Sequence, residues 1–215
     1  NRDEMNELFW FGLAEPCNPV ASPRDPYWVE GYGQNAVAYD VDEANRLLDS
    51  IGLDKRDADG FRLDRTGKRL QLLMENYPSE MGVPAIDIFL QVAGYWQAVG
   101  IDAQAKEIER SLWTQRANAN ESELPSYDIA KVLWVVDPGW YVPYGGYCYW
   151  APAYAQWQNS GGKSGIEPPD EVKQIIDWYD QMKAEPDEAK RLELGQKILG
   201  QHHEEIYVIG TCSID

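Results

Sequence analysis

The sequence predicts an α/β fold with a mixed, mainly parallel sheet flanked by helices. Three observations carry this. Segments with apolar residues three and four apart alternate with short apolar or alternating runs. Gly, Pro and Asp punctuate the boundaries between them. The resulting order is helix, helix, strand, helix, strand, helix, strand, two helices, strand, and such alternation builds a parallel sheet.

Arg2 to Leu13 spaces Met5, Leu8, Phe9 and Phe11 as a helix. A Pro- and Gly-rich loop follows, read as a connection whose aromatics Tyr27, Trp28 and Tyr32 could reach a ligand. DVDEANRLLDSIG is a helix with Asp40 as N-cap, Glu43 three residues on and Gly52 as its stop. The D-x-D-G run at Asp57–Gly60 has the core of a calcium loop. In that register Lys55 occupies the first ligand position and Thr66 the twelfth, where a carboxylate and a bidentate Glu are needed. Asp57, Asp59 and Gly60 are therefore read as turn chemistry. A second turn at Arg65–Lys68 joins FRLD to RLQLLMENY, a short and a longer strand. Pro84 to Val99 is an amphipathic helix ended by Gly100. IDAQAKEIE is a strand, Ser111 to Asn118 a short helix and YDIAKVLWVV a buried-type strand. A long aromatic loop then runs from Asp137 to Pro169. Helices are expected over Pro169–Lys183 and from Asp187 to about Ile206, and IYVIG is expected as a strand.

The chain has 36 acidic and 19 basic residues, a formal charge of -17. Such a balance excludes a nucleic-acid partner, which needs a basic surface. Nine Trp and thirteen Tyr stand against four Phe, a bias toward rings with a polar handle that points to a binding surface. No apolar run approaches the roughly 20 residues that span a bilayer, and no signal peptide is expected within these residues. It begins without Met and ends just after an apolar run, so it is expected to be part of a longer chain. Cys17, Cys148 and Cys212 leave at least one thiol unpaired, and a Cys17–Cys212 bridge stays open.

No catalytic constellation is present. His202 and His203 are neighbours on a helix, about 100° apart, and do not chelate one metal by themselves. H-E-x-x-H, G-x-S-x-G, Walker A and dinucleotide fingerprints are absent. The histidines are expected as an exposed or half-buried helical pair. No catalytic residue, metal or cofactor is expected.

A binding module remains. In open α/β sheets the ligand crevice lies beyond the carboxyl ends of the strands. Those ends are Glu75-Asn76-Tyr77, Glu109-Arg110 and Trp134 through Tyr141. The candidate ligand-binding residues are Trp134, Asp137, Trp140, Tyr141, Tyr144, Asn76, Tyr77 and Arg110. The rings offer flat apolar faces to peptide side chains or sugars, or else staple the loop to its domain. Asp137 suits a cationic group or hydroxyl donors.

Several segments together resemble one family. They are R-x-E-M-N-x-x-x-x-x-G from Arg2, Y-D-x-x-x-A-x-x-L-L-x-x-I-G-L from Tyr39, D-x-D-G-x-R-x-D-x-x-G-K from Asp57, W-x-x-V-G-I from Trp96, Y-D-I-x-x-x-x-W-x-x-D from Tyr127 and S-G-G-K-x-G-x-E-P-P from Ser160. This resembles the extracytoplasmic solute-binding proteins of ABC importers, family 5, the dipeptide, oligopeptide and nickel group. The resemblance implies a periplasmic-binding-protein-like lobe of the type II, large-cluster kind, and two lobes that close over a ligand like a flytrap. Residues 1–215 would be the second lobe, with the first outside this chain. It implies that Asp137, in W-x-x-D after Trp134, pairs with a peptide's amino terminus. An oligosaccharide held by the aromatic loop is the alternative, and a hydrolase or regulatory domain on the same fold a third reading. Membrane permease subunits are the expected partners. A monomer is expected, periplasmic or lipid-anchored outside the cytoplasm.

Overall fold

The computed structural model describes residues 1–79, 85–127 and 134–214. The chain forms two compact units. The first comprises Asn1–Gly12, Ala38–Arg116 and Ser122–Asp128, and the second Leu13–Val37, Ala117–Glu121 and Ile129–Asp215.

The first unit is built on a three-stranded parallel sheet. β2 (Gln71–Asn76) lies between β3 (Asp102–Glu107) and β4 (Leu124–Pro125), with Gln71 opposite Asp102 and Asn76 opposite Glu107. β4 is an element the sequence reading lacked. Helix α3 (Ala85–Ala98) covers the sheet, burying Ala93 against Met74 and Ala103, with Phe89, Val92 and Trp96 around them. Helix α1 (Arg2–Trp10) starts at Asn1, whose side chain accepts from Glu4 N at 3.3 Å. Helix α2 (Val41–Ser50) starts at the expected N-cap, with Asp40 Oδ1 accepting from Glu43 N at 2.8 Å. Helix α4 (Arg110–Asn118) follows β3.

The D-x-D-G run is a turn. Asp57 Oδ1 accepts from the amides of Asp59 and Phe61, both at 3.0 Å, while Asp57 Oδ2 meets Arg69 Nε at 2.6 Å. Both carboxylate oxygens are thus committed within the hairpin. Asp64 orders the second turn by accepting from Thr66 N (2.8 Å) and Lys68 N (3.0 Å). Between the turns sits Arg62, 1% exposed. Its guanidinium donates to Val99 O (2.7 Å), Leu53 O, Asn45 Oδ1 (2.7 Å) and Asp49 Oδ1 (2.6 Å). Carbonyls at helix ends lack intrahelical donors, and Arg62 supplies them where α2 and α3 finish.

The second unit is centred on helices α6 (Asp170–Ala184) and α7 (Glu188–Glu205). Ile175, Ile176, Tyr179 and Met182 meet Ile198 and Leu199, with Trp134, Tyr141 and Val142 in the same core. Asp187 caps α7 through the amides of Ala189 and Lys190. The segment from Leu13 to Val37 lies on α7. Tyr27 occupies space left by Gly195, where a Cβ would come within 2.2 Å of its ring. Tyr32 donates to Gln196 O (3.0 Å), and Asn35 Nδ2 to His203 O (3.0 Å). Strand β1 (Glu15–Pro16) pairs antiparallel with β5 (Cys212–Ser213).

Four expectations are corrected here. The long aromatic loop contains a helix, α5 (Pro152–Ser160), with Pro at its first turn and Gly161 closing it at φ 62. IYVIG is not a strand: Ile206 is left-handed at φ 50 and ends α7, and pairing resumes only at Cys212. Of YDIAKVLWVV, residues 128–133 lie outside the described residues, and Trp134–Val136 form a turn rather than a strand. His202 is 5% exposed and not a surface residue. The cysteines are thiols. Pro16 faces Cys212 across the β1–β5 pair, so Cys17, one residue on, projects from the opposite face to Cys212.

Candidate ligand-binding residues

The candidate residues fall into two groups, one in each unit. In the first unit Asn76 ends β2 and is 1% exposed. Its Nδ2 makes two long contacts, to Tyr77 O and Glu107 Oε2, both 3.4 Å. Its Oδ1 is buried with no donor among the described residues, an arrangement that costs about 1–3 kcal/mol until a partner arrives. Tyr77 packs edge-on against Trp113 (4.9 Å between centroids), which in turn meets Tyr127 (5.5 Å). Arg110 lies over the Tyr77 ring at 5.1 Å. Trp113 is held by its indole N–H, which donates to Glu75 O at 2.8 Å, and the Glu75 carboxylate pairs with Arg116 at 3.1 Å. Glu109, between the end of β3 and α4, is used as a cap: its Oε2 accepts from Ser111 N (2.9 Å) and Leu112 N (3.2 Å). Hydrogen bonds from Ser111, side chain first, hold that carboxyl below its usual range. Asn76, Tyr77 and Arg110 are thus brought together at the carboxyl end of β2.

In the second unit Asp137 precedes a 3-10 turn, Pro138–Trp140, and its side chain makes no cap hydrogen bond. The turn is closed by Tyr141 N and Val142 N, which donate to Pro138 O at 2.9 and 2.7 Å. Two residues before Asp137, Val135 O accepts from the Tyr179 hydroxyl at 3.3 Å. Trp134 is fully buried, edge-on to Tyr27 (5.4 Å) and Tyr141 (5.8 Å). Its indole N–H has no acceptor among the described residues. Tyr141 is 4% exposed, Trp140 half-buried, and Tyr144 is 36% exposed. Tyr144 lies 5.9 Å from Tyr179, and the Lys183 ammonium sits over both rings, at 4.7 and 5.0 Å. Lys183 also pairs with Asp180 at 2.7 Å.

Sequence reading missed three supports of these residues: Trp113, the Tyr179–Lys183 pair, and His202. Trp113 is one helical turn from Arg110, a spacing that was visible. Tyr179 and Lys183 are four apart on α6 and so share a face. His202 Nε2 lies 2.7 Å from Tyr141 O and donates to it, with Trp150 and Tyr207 edge-on to its ring at 5.0 and 5.1 Å.

Burial drives the His202 pKa down to about 4 from 6.5, against the pull of its bond to Tyr141. An unfolded chain takes up this proton near pH 6.5 and the folded one refuses it until near pH 4. The stabilisation is therefore whole above pH 6.5 and is lost as pH falls through that window, by about 3 kcal/mol. Urea unfolding from pH 7 to pH 4 should show this slope, and His202→Gln should flatten it. Equal slopes in the two proteins would disprove the assignment.

Among the described residues no group of three His, Cys, Asp or Glu is arranged to hold a metal. No helix among the described residues is long and apolar enough to cross a membrane. The Cys148 thiol is pushed up to about 12 by burial, so it is inert at neutral pH.

Residues 1–152 match the family described as bacterial extracellular solute-binding proteins, family 5 Middle. No curated protein matches the chain. Among solved structures it is similar to the oligopeptide-binding protein OppA, at 28% identity and a TM-score of 0.85, covering 99% of this chain and 35% of that one. It is similar in fold to NikA from Brucella suis in complex with Fe(III)-EDTA, at 21% identity and TM-score 0.71, covering 100% and 40%. It also matches the periplasmic binding protein MelB of Agrobacterium fabrum in complex with stachyose, at 14% identity and TM-score 0.70, covering 91% and 29%. The chain thus spans about a third of the length of these structures. These are binding proteins rather than enzymes, and the α/β architecture with its parallel sheet is theirs. The chain belongs to the bacterial extracellular solute-binding proteins, family 5.

Proposed function

We propose that residues 1–215 are the second, ligand-binding lobe of an ABC-importer receptor that captures a peptide-like solute, with Asp137 pairing the ligand's amino terminus. The observation that carries this is the Asp137 carboxylate. It stands on a turn buttressed by Tyr179, and its side chain caps nothing. Trp134 and Tyr141, buried behind that turn, position Asp137 rather than touch the ligand. Within the first unit, and separately from Asp137, Asn76 has a buried acceptor with no donor among the described residues, next to the Tyr77 ring over which Arg110 lies. The similarity to OppA favours a peptide. Ligand would shift a hinge equilibrium toward the closed receptor, which then docks on membrane permease subunits. The receptor would act as a monomer outside the cytoplasm, periplasmic or lipid-anchored.

An oligosaccharide is the second reading. It is favoured by the stachyose complex of MelB and by the outward rings of Tyr144 and Tyr147, 36% and 57% exposed. Native mass spectrometry of the full-length protein, purified gently from its source, tests both. A retained peptide mass supports the first reading, and hexose-spaced masses replace it with the second. Turnover of a retained ligand during incubation would overturn both and favour a hydrolase.

A further inference from the structure

A cavity of ≈ 200 Å³ opens within the segment of the second unit between Glu15 and Gln34. It shares no residue with the candidates above. Its wall carries two carboxylates, Glu15 and Glu30, and two aromatic residues, Trp28 and Tyr32, and no Lys, Arg or His.

The wall is ordered by its own bonds. Asn18, 6% exposed, ties three stretches together: its amide donates to Gly33 O (2.8 Å), its Nδ2 to Asn35 O (2.8 Å), and its Oδ1 accepts from Gly210 N (3.0 Å). Gly33, at φ +85, is packed so closely that a Cβ would come within 2.7 Å of Val20 and 2.8 Å of Asn18 O. The Tyr32 ring stacks on His203 (5.4 Å, 26°), and its hydroxyl is held by Gln196 O. It is therefore fixed in place. Gln34 Nε2 donates to one Glu15 oxygen at 3.0 Å.

Two anionic groups and two rings, with no cation among them, make a space whose field favours positive charge. Ring quadrupoles add to that attraction, most strongly for quaternary ammonium groups. The volume is below the roughly 300–1,000 Å³ of drug-sized sites, so the occupant is small. We propose that this cavity is a second ligand site that takes a small alkylammonium of choline's size. The proposal is independent of the role given to Asp137.

The test is calorimetric titration of the full-length natural protein with choline and with dimethylbutanol, its uncharged isostere. Choline should bind about tenfold or more tightly than the isostere. Trp28→Leu should weaken choline by about tenfold, and so should the exposed pair Glu15→Gln with Glu30→Gln, which leaves the packed wall intact. Asp137→Ala should leave choline binding unchanged. Equal affinity for the two probes, absence of choline binding, or indifference to both sets of variants would overturn the proposal. Loss of choline binding in Asp137→Ala alone would also overturn it, while leaving Asp137 its own cationic ligand.

Discussion

Arg62→Met is expected to destabilise the first unit by about 2–4 kcal/mol, the loss of several hydrogen bonds made by one buried guanidinium. Methionine fills much of the space but donates nothing. Leu53 O then loses its donor, while Val99 O and Asn45 Oδ1 lose one of two donors and keep Arg56 Nη2 at 3.1 and 2.9 Å. A buried acceptor left unpaired costs about 1–3 kcal/mol, so the Leu53 carbonyl, together with the bonds lost at Val99 O and Asn45 Oδ1, accounts for most of the loss. The Asp49 partner does not, because its side chain is 55% exposed. An ion pair of that exposure is worth under about 1 kcal/mol. Asp49→Asn should therefore be nearly silent, and Arg62→Lys intermediate. Urea midpoints of the intact protein read these changes, and hydrogen exchange at β2 and β3 assigns them to the first unit. A loss under about 1 kcal/mol for Arg62→Met would mean that the helix ends find other donors.

Asp137→Ala should weaken binding of the co-purifying ligand by about 2–4 kcal/mol, or about 30- to 1,000-fold, if the carboxylate holds a desolvated ammonium. Asp137→Asn separates the two chemistries. An amide keeps the shape and the acceptor oxygen but not the charge. Against an ammonium it should lose nearly as much as alanine. Against sugar hydroxyls it should retain most of the affinity, since a neutral acceptor still serves. Unchanged affinity in both variants would remove Asp137 from the site. Folding is a small concern at this position, because the side chain caps nothing.

Local rules foretold the elements that local chemistry governs. Asp40 caps α2 as expected, Gly100 closes the turn after α3, and Asp187 caps α7. The helical spacing of α3, α6 and α7 was plain. Elements set by distant contacts were not. IYVIG has the β-branched content of a strand, yet Ile206 must turn left-handed to end α7. The α5 helix was masked by its Tyr and Trp content, although Pro152 and Gly161 bracket it in the sequence. His202 was readable too. Gly195, Ile198, Leu199 and His202 form one stripe at helical spacing, and all four are buried. Asn76 was placed at a strand end by the parallel-sheet rule, but its empty acceptor is visible only in three dimensions. Trp134 shares a motif with Asp137 and Tyr141 follows four residues after it, and nothing in that spacing tells that their rings turn inward.

The bond between Asn18 and Gly210 also sets a timetable. These residues are 192 positions apart. At the roughly 5–20 residues per second of a ribosome, Gly210 emerges about 10–40 seconds after Asn18. Until then β1 has no partner strand, and Tyr27 and Tyr32 have no α7 to lie on. The first part of the second unit therefore waits, unfinished, through the synthesis of nearly all the rest.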